Sequence, residues 1–436
     1  MQSNSDQRSL ADFVNAEGPD IFQKTRVFGE AITDFRKKGY ETYMRPLTGS
    51  SDRRSRVQTA TGEREVILMS SSNYLGMASH PEVLAAAHAA IDRFGASVMA
   101  SPLLSGTTVV HRELENELGK MKSVEAAALF PTGYGANQGA ISALMRKDDW
   151  VVVDSQIHCS LVEGVHLAKA HLAAFRHSCK DGLEKTLAHV RRKAPKSGVL
   201  VAVEGVYGLD GDVAPLPDLM RVARAFDARV MIDESHATGV LGASGRGTTE
   251  HFGLSEPPDI VMDSLSKSLG SMGGWIGAPA HAIDYLRYFS RPISFAVGLP
   301  AVSAAAGLAA LRLMLNDRKH VVQLKKNIAI MKSGLLEMGL KNPAKSESAI
   351  MSFVIGDELK LRQIDRELAE AGIWMEAVPY PAVPRGEERL RLRVLATHTE
   401  EDIGLTLRTL QRVLVKYGIV TPRVSVTRPN FSFASA

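Results

Sequence analysis

Between Val66 and about Val297, short apolar runs alternate with amphipathic stretches, and this alternation limits the possible folds more than any other feature of the sequence. The runs AALF (127–130), WVVVD (150–154), VLVAVE (199–204), RVMIDE (229–234) and DIVMD (259–263) have strand length and no internal polar break. Between them, segments 135–146, 159–169, 183–194 and 216–226 repeat at helical spacing. Units of this kind build an α/β domain, a largely parallel sheet covered by helices on both faces. Further on the pattern changes. Residues 301–339 read as long helices, followed by a strand (349–356), a helix (360–372), a strand (389–395) and a helix (400–416). The expected organisation is a basic arm over 1–65, a large domain over 66–300, a smaller α+β domain over 301–420 and a polar tail over 421–436.

Composition closes off several classes. With 45% hydrophobic and 23% charged residues among 436, the chain is neither disordered nor fibrous. A net charge of +4 is too mild to imply nucleic-acid binding. The two cysteines, Cys159 and Cys179, supply neither a disulfide framework nor a multi-cysteine zinc site, so no metal is expected and a reducing, cytoplasmic setting is. The start MQSNSDQRSLADF lacks a signal-peptide core. Residues 292–311 carry no charge and are long enough to cross a bilayer. Pro300, the Ala and Gly content and the adjacent Arg312 favour a loop entering a buried helix, with no transmembrane segment.

Unusual polar residues stand where the apolar runs give out, which in open α/β sheets is where ligands bind. RVMIDESHATG places Asp233 and His236 there, and DIVMDSLSKSLG places Ser264 and Lys267 there. A lysine and an acid suit pyridoxal phosphate: the amine forms an imine with the cofactor, and the carboxylate keeps the ring nitrogen protonated. In FPTGYGANQGA, Thr132, Gly133 and Tyr134 stand at a strand-to-helix turn, where free amides and the helix dipole favour a phosphate. His158, past another strand end, is placed to stack on the ring, and His236 to bond its phenolic oxygen.

The spaced series NYLG (73–76), TGY (132–134), IHCSL (157–161), EGVYGLDGD (204–212), DESHATG (233–239), SLSK (264–267) and LR (390–391) resembles the α-oxoamine synthases, pyridoxal-phosphate enzymes of fold type I, over roughly residues 66–416. That family includes serine palmitoyltransferase, glycine C-acetyltransferase, aminolevulinate synthase and amino-oxononanoate synthase. The resemblance implies a homodimer that condenses an amino acid with an acyl thioester, from coenzyme A or an acyl carrier protein, with loss of carbon dioxide. By the same resemblance Lys267 is the Schiff-base lysine, Asp233 the pyridinium partner, His158 the stacking histidine and His236 the partner of the phenolic oxygen. Asn73 and Glu204 match positions near the substrate, and Arg391 matches the arginine that clamps the amino acid's carboxylate. Arg389 and Arg393 flank it at strand spacing and share its face.

Departures from the family pattern carry expectations of their own. Gly208 stands where a serine is usual, Ala296 replaces a hydroxyl residue that reaches the phosphate across the dimer, Ser264 replaces a threonine and Ser235 a small apolar residue. Each lost hydroxyl weakens cofactor binding by about 0.5–1.5 kcal/mol. Pro102, Leu103 and Leu104 leave an apolar segment where a cation is common, which favours an apolar medium or long acyl chain over succinyl; the alternative is simple core packing. Arg36, Lys37, Lys38, Arg45, Arg53, Arg54, Arg56 and Arg64 form a solvated surface, a grip on coenzyme A phosphates or an acidic carrier protein, or a membrane-facing patch suited to a lipid-like acyl group. An aminotransferase or lyase of the same fold would share Lys267 and Asp233, and a catalytically silent partner subunit would not need the lysine.

Overall fold

The computed structural model describes residues 10–14, 17–40, 43–59 and 62–421. The start of the chain and the tail beyond Thr421 lie outside the described residues. The largest sheet has seven strands, in the spatial order Ala126–Phe130, Gly274–Ala278, Ile260–Ser264, Arg229–Asp233, Val199–Glu204, Trp150–Asp154 and His171–Phe175. Only Gly274–Ala278 runs antiparallel to its neighbours. The central strands are buried on both faces, as their unbroken apolar sequences require.

Two of the seven strands are not evident as apolar runs. His171–Phe175 lies on the sheet edge and is largely exposed, so it carries no apolar signal. Gly274–Ala278 is glycine-rich for a steric reason: a Cβ on Gly274 would stand 2.5 Å from the Cα of Gly133, at the head of the neighbouring helix.

Among the described residues, two three-stranded sheets accompany the seven-stranded one. In one, Ile350–Val354 and Glu376–Val378 flank Arg389–Arg393, both antiparallel to it. In the other, the hairpin Arg54–Thr59 and Gly62–Leu68 is joined by Ile373–Trp374, parallel to the second strand. Segments from both ends of the sequence therefore share one structure. The same packing corrects the reading of the basic arm. Arg53 and Arg54 both engage the buried carboxylate of Asp402, at 2.8 and 2.9 Å, and Arg54 also pairs with Glu65. Arg56 stands 3.9 Å from Glu63. Arg53 and Arg54 thus fasten the hairpin region to helix Glu400–Lys416, while Arg56 pairs across the hairpin itself.

The uncharged stretch 292–311 resolves into the turn of helix Arg291–Ser294, a loop, and helix Ala301–Asn316, whose small residues pack against helices Pro81–Phe94 and Val109–Lys122. Among the described residues, no helix is long and apolar enough to cross a membrane.

Candidate active site

The carboxyl ends of Ala126–Phe130, Trp150–Asp154, Val199–Glu204, Arg229–Asp233 and Ile260–Ser264 open on one side of the large sheet. Together with residues 376–393 they enclose a cleft of about 1200 Å³. Its lining includes Thr132, Gly133, Tyr134, His158, Glu204, Asp233, His236, Ser264, Lys267 and Arg391, which the sequence scatters over 260 positions. Asn73 is not in the lining. Its amide donates to Ser51 O at 3.3 Å and its carbonyl accepts from Ala78 N at 3.1 Å, which fixes the turn before helix Pro81–Phe94 instead.

Asp233, His158 and His236 on this wall are held by neighbours. Asp233 Oδ2 accepts from Asn137 Nδ2 at 2.8 Å, and Oδ1 accepts from the backbone N–H of Ser235 at 2.9 Å. Asn137 also donates to Ser160 Oγ at 3.0 Å, and Ser160 is 2.7 Å from His158 Nδ1. A continuous chain of contacts thus fixes the aspartate relative to the imidazole. The His158 ring meets Tyr134 edge-on at 5.9 Å, and burial holds its pKa below the ordinary imidazole range. Tyr74, fully buried, bonds His236 Nδ1 at 2.8 Å. Desolvation, with Lys267 and Arg393 nearby, keeps His236 well below the usual imidazole range and therefore neutral at pH 7. The loop bearing His236 is pinned by a buried Lys122–Glu234 pair at 2.7 Å and by Thr238 Oγ1 donating to Asp263 at 2.5 Å.

Burial likewise lowers the pKa of Lys267, against the pull of Asp233, Asp263 and Glu204. This increases the free-amine fraction, the form that can act as nucleophile or base. Glu204 moves the other way: burial and then the charge of Asp233 push its carboxyl up to about 8, while its oxygens accept from the N–H groups of His158 (2.7 Å) and Gly208 (3.3 Å).

At the head of helix Gly133–Leu144, Thr132 Oγ1 accepts from Gly135 N at 2.9 Å, and the other first-turn amides have no intrahelical partner. Ser264 Oγ and Ser266 Oγ, 2.6 Å apart, face this turn. A Cβ on Gly133 would stand 3.2 Å from Ser264 Oγ, so the absence of a side chain keeps the cradle open. Free amides, hydroxyls, an acid and a low-pKa amine fit pyridoxal phosphate. Gly208 also has a local cause: a Cβ there would be 2.9 Å from His236 Nε2, too close for the imidazole to keep its place.

The opposite wall is a stripe of arginines, and each is already paired. Arg389 bonds Asp210 at 2.7 Å and Glu387 at 2.9 Å. Arg391 contacts Glu376 through Nε (3.1 Å) and Nη2 (2.5 Å), and also donates from Nη1 to Gly208 O. Arg393 contacts Glu376 at 2.8 Å. The sequence reading missed Asn137, Ser160, Tyr74 and Glu376. The local sign that Asn137 has a special role is an amide on the face of helix GYGANQGAISAL that is otherwise small and apolar, Ala136, Gly139, Ala140 and Ile141 being buried with it. Pro102 and Leu103 line a separate cavity, and Leu104 is 81% exposed, so these residues neither bound the central cleft nor pack a core.

Fold and donor set together define a pyridoxal-phosphate enzyme of the aminotransferase fold. A family model described as aminotransferase class I and II matches residues 64–410. 4-Hydroxy-2,2'-bipyrrole-5-methanol synthase PigH of Serratia sp. (strain ATCC 39006) is 35% identical over 433 residues, 99% of this chain, and the chain spans 66% of that relative's length. 8-Amino-7-oxononanoate synthase 1 of Bacillus velezensis is 38% identical over 346 residues, 79% of this chain and 88% of that protein. A solved serine palmitoyltransferase from Sphingomonas wittichii superposes with a TM-score of 0.87 at 30% identity, covering 92% of this chain and 100% of that one. A further solved structure, SPT with PLP, has the same TM-score at 29% identity and the same coverage of both chains. The chain belongs to the class I and II aminotransferase family, in its α-oxoamine synthase branch. It is a pyridoxal-phosphate-dependent acyltransferase that condenses an amino acid with an acyl thioester and releases carbon dioxide.

Proposed function

We propose that Lys267, Asp233, His158 and His236 hold and tune the cofactor, that Arg391 receives the amino acid's carboxylate, and that the acyl group is apolar. The carrying observation is the convergence of five strand ends and Arg391 on one cleft. When bound, pyridoxal phosphate supplies an electron-poor ring that takes up the pair left by a bond broken at the amino acid's Cα. Asp233, oriented by Asn137, keeps a proton at the ring nitrogen. His158 covers one face of the ring. The free turn at Gly133, with Thr132, Ser264 and Ser266, receives the phosphate. A guanidinium at Arg391 that grips the substrate carboxylate would fix the plane of the amino acid and so hold its Cα–H bond in one orientation for the base. Lys267, with its lowered pKa, then removes that proton as general base and later returns one.

The apolar preference draws support from residues other than those the sequence suggested. Val378, Pro379, Tyr380, Pro381, Ala382 and Pro384 form one side of the cleft, and Leu10 and Pro381 continue into a groove with Phe13 and Phe28. The segment from Val378 to Pro384 offers a succinyl carboxylate no cation, which is costly, while the adjoining groove carries Lys24. A homodimer is supported by exposed Met99, Leu104, Tyr288, Phe289, Phe295 and Val297 on neighbouring segments, since Gly298 N donates to Ala100 O. Free cysteines agree with a reducing cytoplasm.

Turnover with succinyl, acetyl, decanoyl and palmitoyl thioesters, read as carbon dioxide and thiol released, tests the reading. A succinyl preference overturns the acyl assignment. Consumption of a 2-oxo acid without carbon dioxide would mark an aminotransferase. Borohydride trapping should place the cofactor adduct at Lys267.

A further inference from the structure

The residue that most alters the chemistry of the cleft is Glu376. The sheet register sets it directly opposite Arg391, and the two form a two-point ion pair, Nε to Oε2 at 3.1 Å and Nη2 to Oε1 at 2.5 Å. This is the geometry by which a guanidinium grips any carboxylate. The third nitrogen of Arg391 donates to Gly208 O, so every nitrogen of the guanidinium is already engaged. Neither neighbouring arginine is a spare clamp. Arg389 is balanced by Asp210 and Glu387, and Arg393 donates to Ser70 O while also contacting Glu376 at 2.8 Å.

We propose that Glu376 is a specificity-determining residue: it stands in for the substrate carboxylate at Arg391, and an amino acid binds by exchanging with it. Three observations carry this. The pair lines the same cleft as Lys267, with Glu376 30% and Arg391 16% exposed, so solvent and substrate reach it. The displaced carboxylate has a destination, because Arg393 already holds one of its oxygens and the buried Nε of Arg393 has no hydrogen-bond partner among the described residues. The exchange also keeps Arg391 paired throughout, one carboxylate leaving it as another arrives while Glu376 stays on Arg393, so no ion is stranded in the cleft. The clamp therefore adds little net affinity, and discrimination falls to the amino acid's side chain and amine. An amine without a carboxylate has nothing with which to displace Glu376.

The inference rests on Arg391 being the carboxylate clamp, and the test separates the two. The full-length holoenzyme is titrated with glycine, L-alanine and L-serine, and with methylamine, ethylamine and ethanolamine, following the cofactor's absorption. Glu376→Gln should tighten the amino acids by about three- to tenfold, the worth of one competing ion pair at a largely buried site, and leave the amines unchanged. Unchanged or weaker amino-acid binding, or equal tightening of the amines, overturns the proposal. Glu376→Asp, whose shorter side chain cannot span both arginines, should fall between wild type and Glu376→Gln, and it carries the test if the glutamine variant fails to fold. Arg391→Ala addresses the clamp itself: unchanged amino-acid affinity there removes the premise, whereas a loss there with no gain in Glu376→Gln rejects only the exchange.

Discussion

The two walls of the cleft are assembled by different rules. On the large-sheet wall, each reactive side chain stands within a few residues of the end of a buried strand: Asp233 at the end of its strand, Lys267 three residues past Ser264, His158 four past Asp154. Its orientation comes from contacts to neutral groups such as Asn137, Ser160 and Tyr74. On the small-sheet wall, a single strand presents Arg389, Arg391 and Arg393, and their environment is set by carboxylates from other segments, Asp210, Glu376 and Glu387. Removing a residue from the first wall deletes a chemical function. On the second wall the same change redistributes charge among partners, so effects there should appear in binding more than in turnover.

That contrast gives an order of expected effects. Lys267→Ala should be the most severe, lowering turnover by about a thousandfold or more, because both the covalent anchor and the base are lost. The check is kcat together with borohydride trapping; activity within tenfold of wild type would move the chemistry off this wall. Asp233→Asn should follow at about a hundredfold, as the ring nitrogen loses its anionic partner. Asn137→Ala leaves one oxygen of Asp233 unpartnered in a buried site and should cost about tenfold. Asn137 is a positioning residue, so the telling readout is a shift of the cofactor's absorption maximum and dissociation constant with the melting temperature preserved. A change in melting temperature alone would make it structural.

The same contrast explains what the sequence disclosed. The first wall is local in sequence: DESHATG and SLSK each carry a strand end and its reactive residue together, so Asp233, His236, Ser264 and Lys267 could be read directly. The second wall depends on which strands pair. Nothing near Glu376 in GIWMEAVP announces that Arg391 will lie opposite, because register is fixed by tertiary packing. Arg53 and Arg54 misled for the same reason: their partner, Asp402, lies almost 350 residues away. Likeness of position alone brings Pro102 and Leu103 to the acyl group, and the chain path takes them to a different cavity. Asn73 sits in a recognisable motif, but the geometry of its turn decides where its amide points.

The loop between Glu204 and Val213 ties the walls together and offers the mildest test. Gly208 O and Asp210 engage Arg391 and Arg389 on one side, while Asp212 reaches His177 on the other, at 2.7 Å. His177 also bonds Asp154 at 2.8 Å and meets Tyr207 edge-on at 4.5 Å. Burial alone would lower its pKa, but the two carboxylates outweigh that and raise it to about 10 from an ordinary 6.5. A histidine whose pKa is raised in the folded state binds its proton more tightly there than in the unfolded chain. Its stabilising contribution is therefore complete below about pH 6.5, declines as pH rises, and is gone above about 10. Wild type and His177→Gln compared by urea unfolding from pH 6 to 10.5 should differ most at pH 6 and converge toward the alkaline end. A gap that stays constant with pH would mean that His177 holds the loop by packing and neutral hydrogen bonds. The loop would then resemble the first wall, whose contacts are neutral, rather than the charge-balanced second.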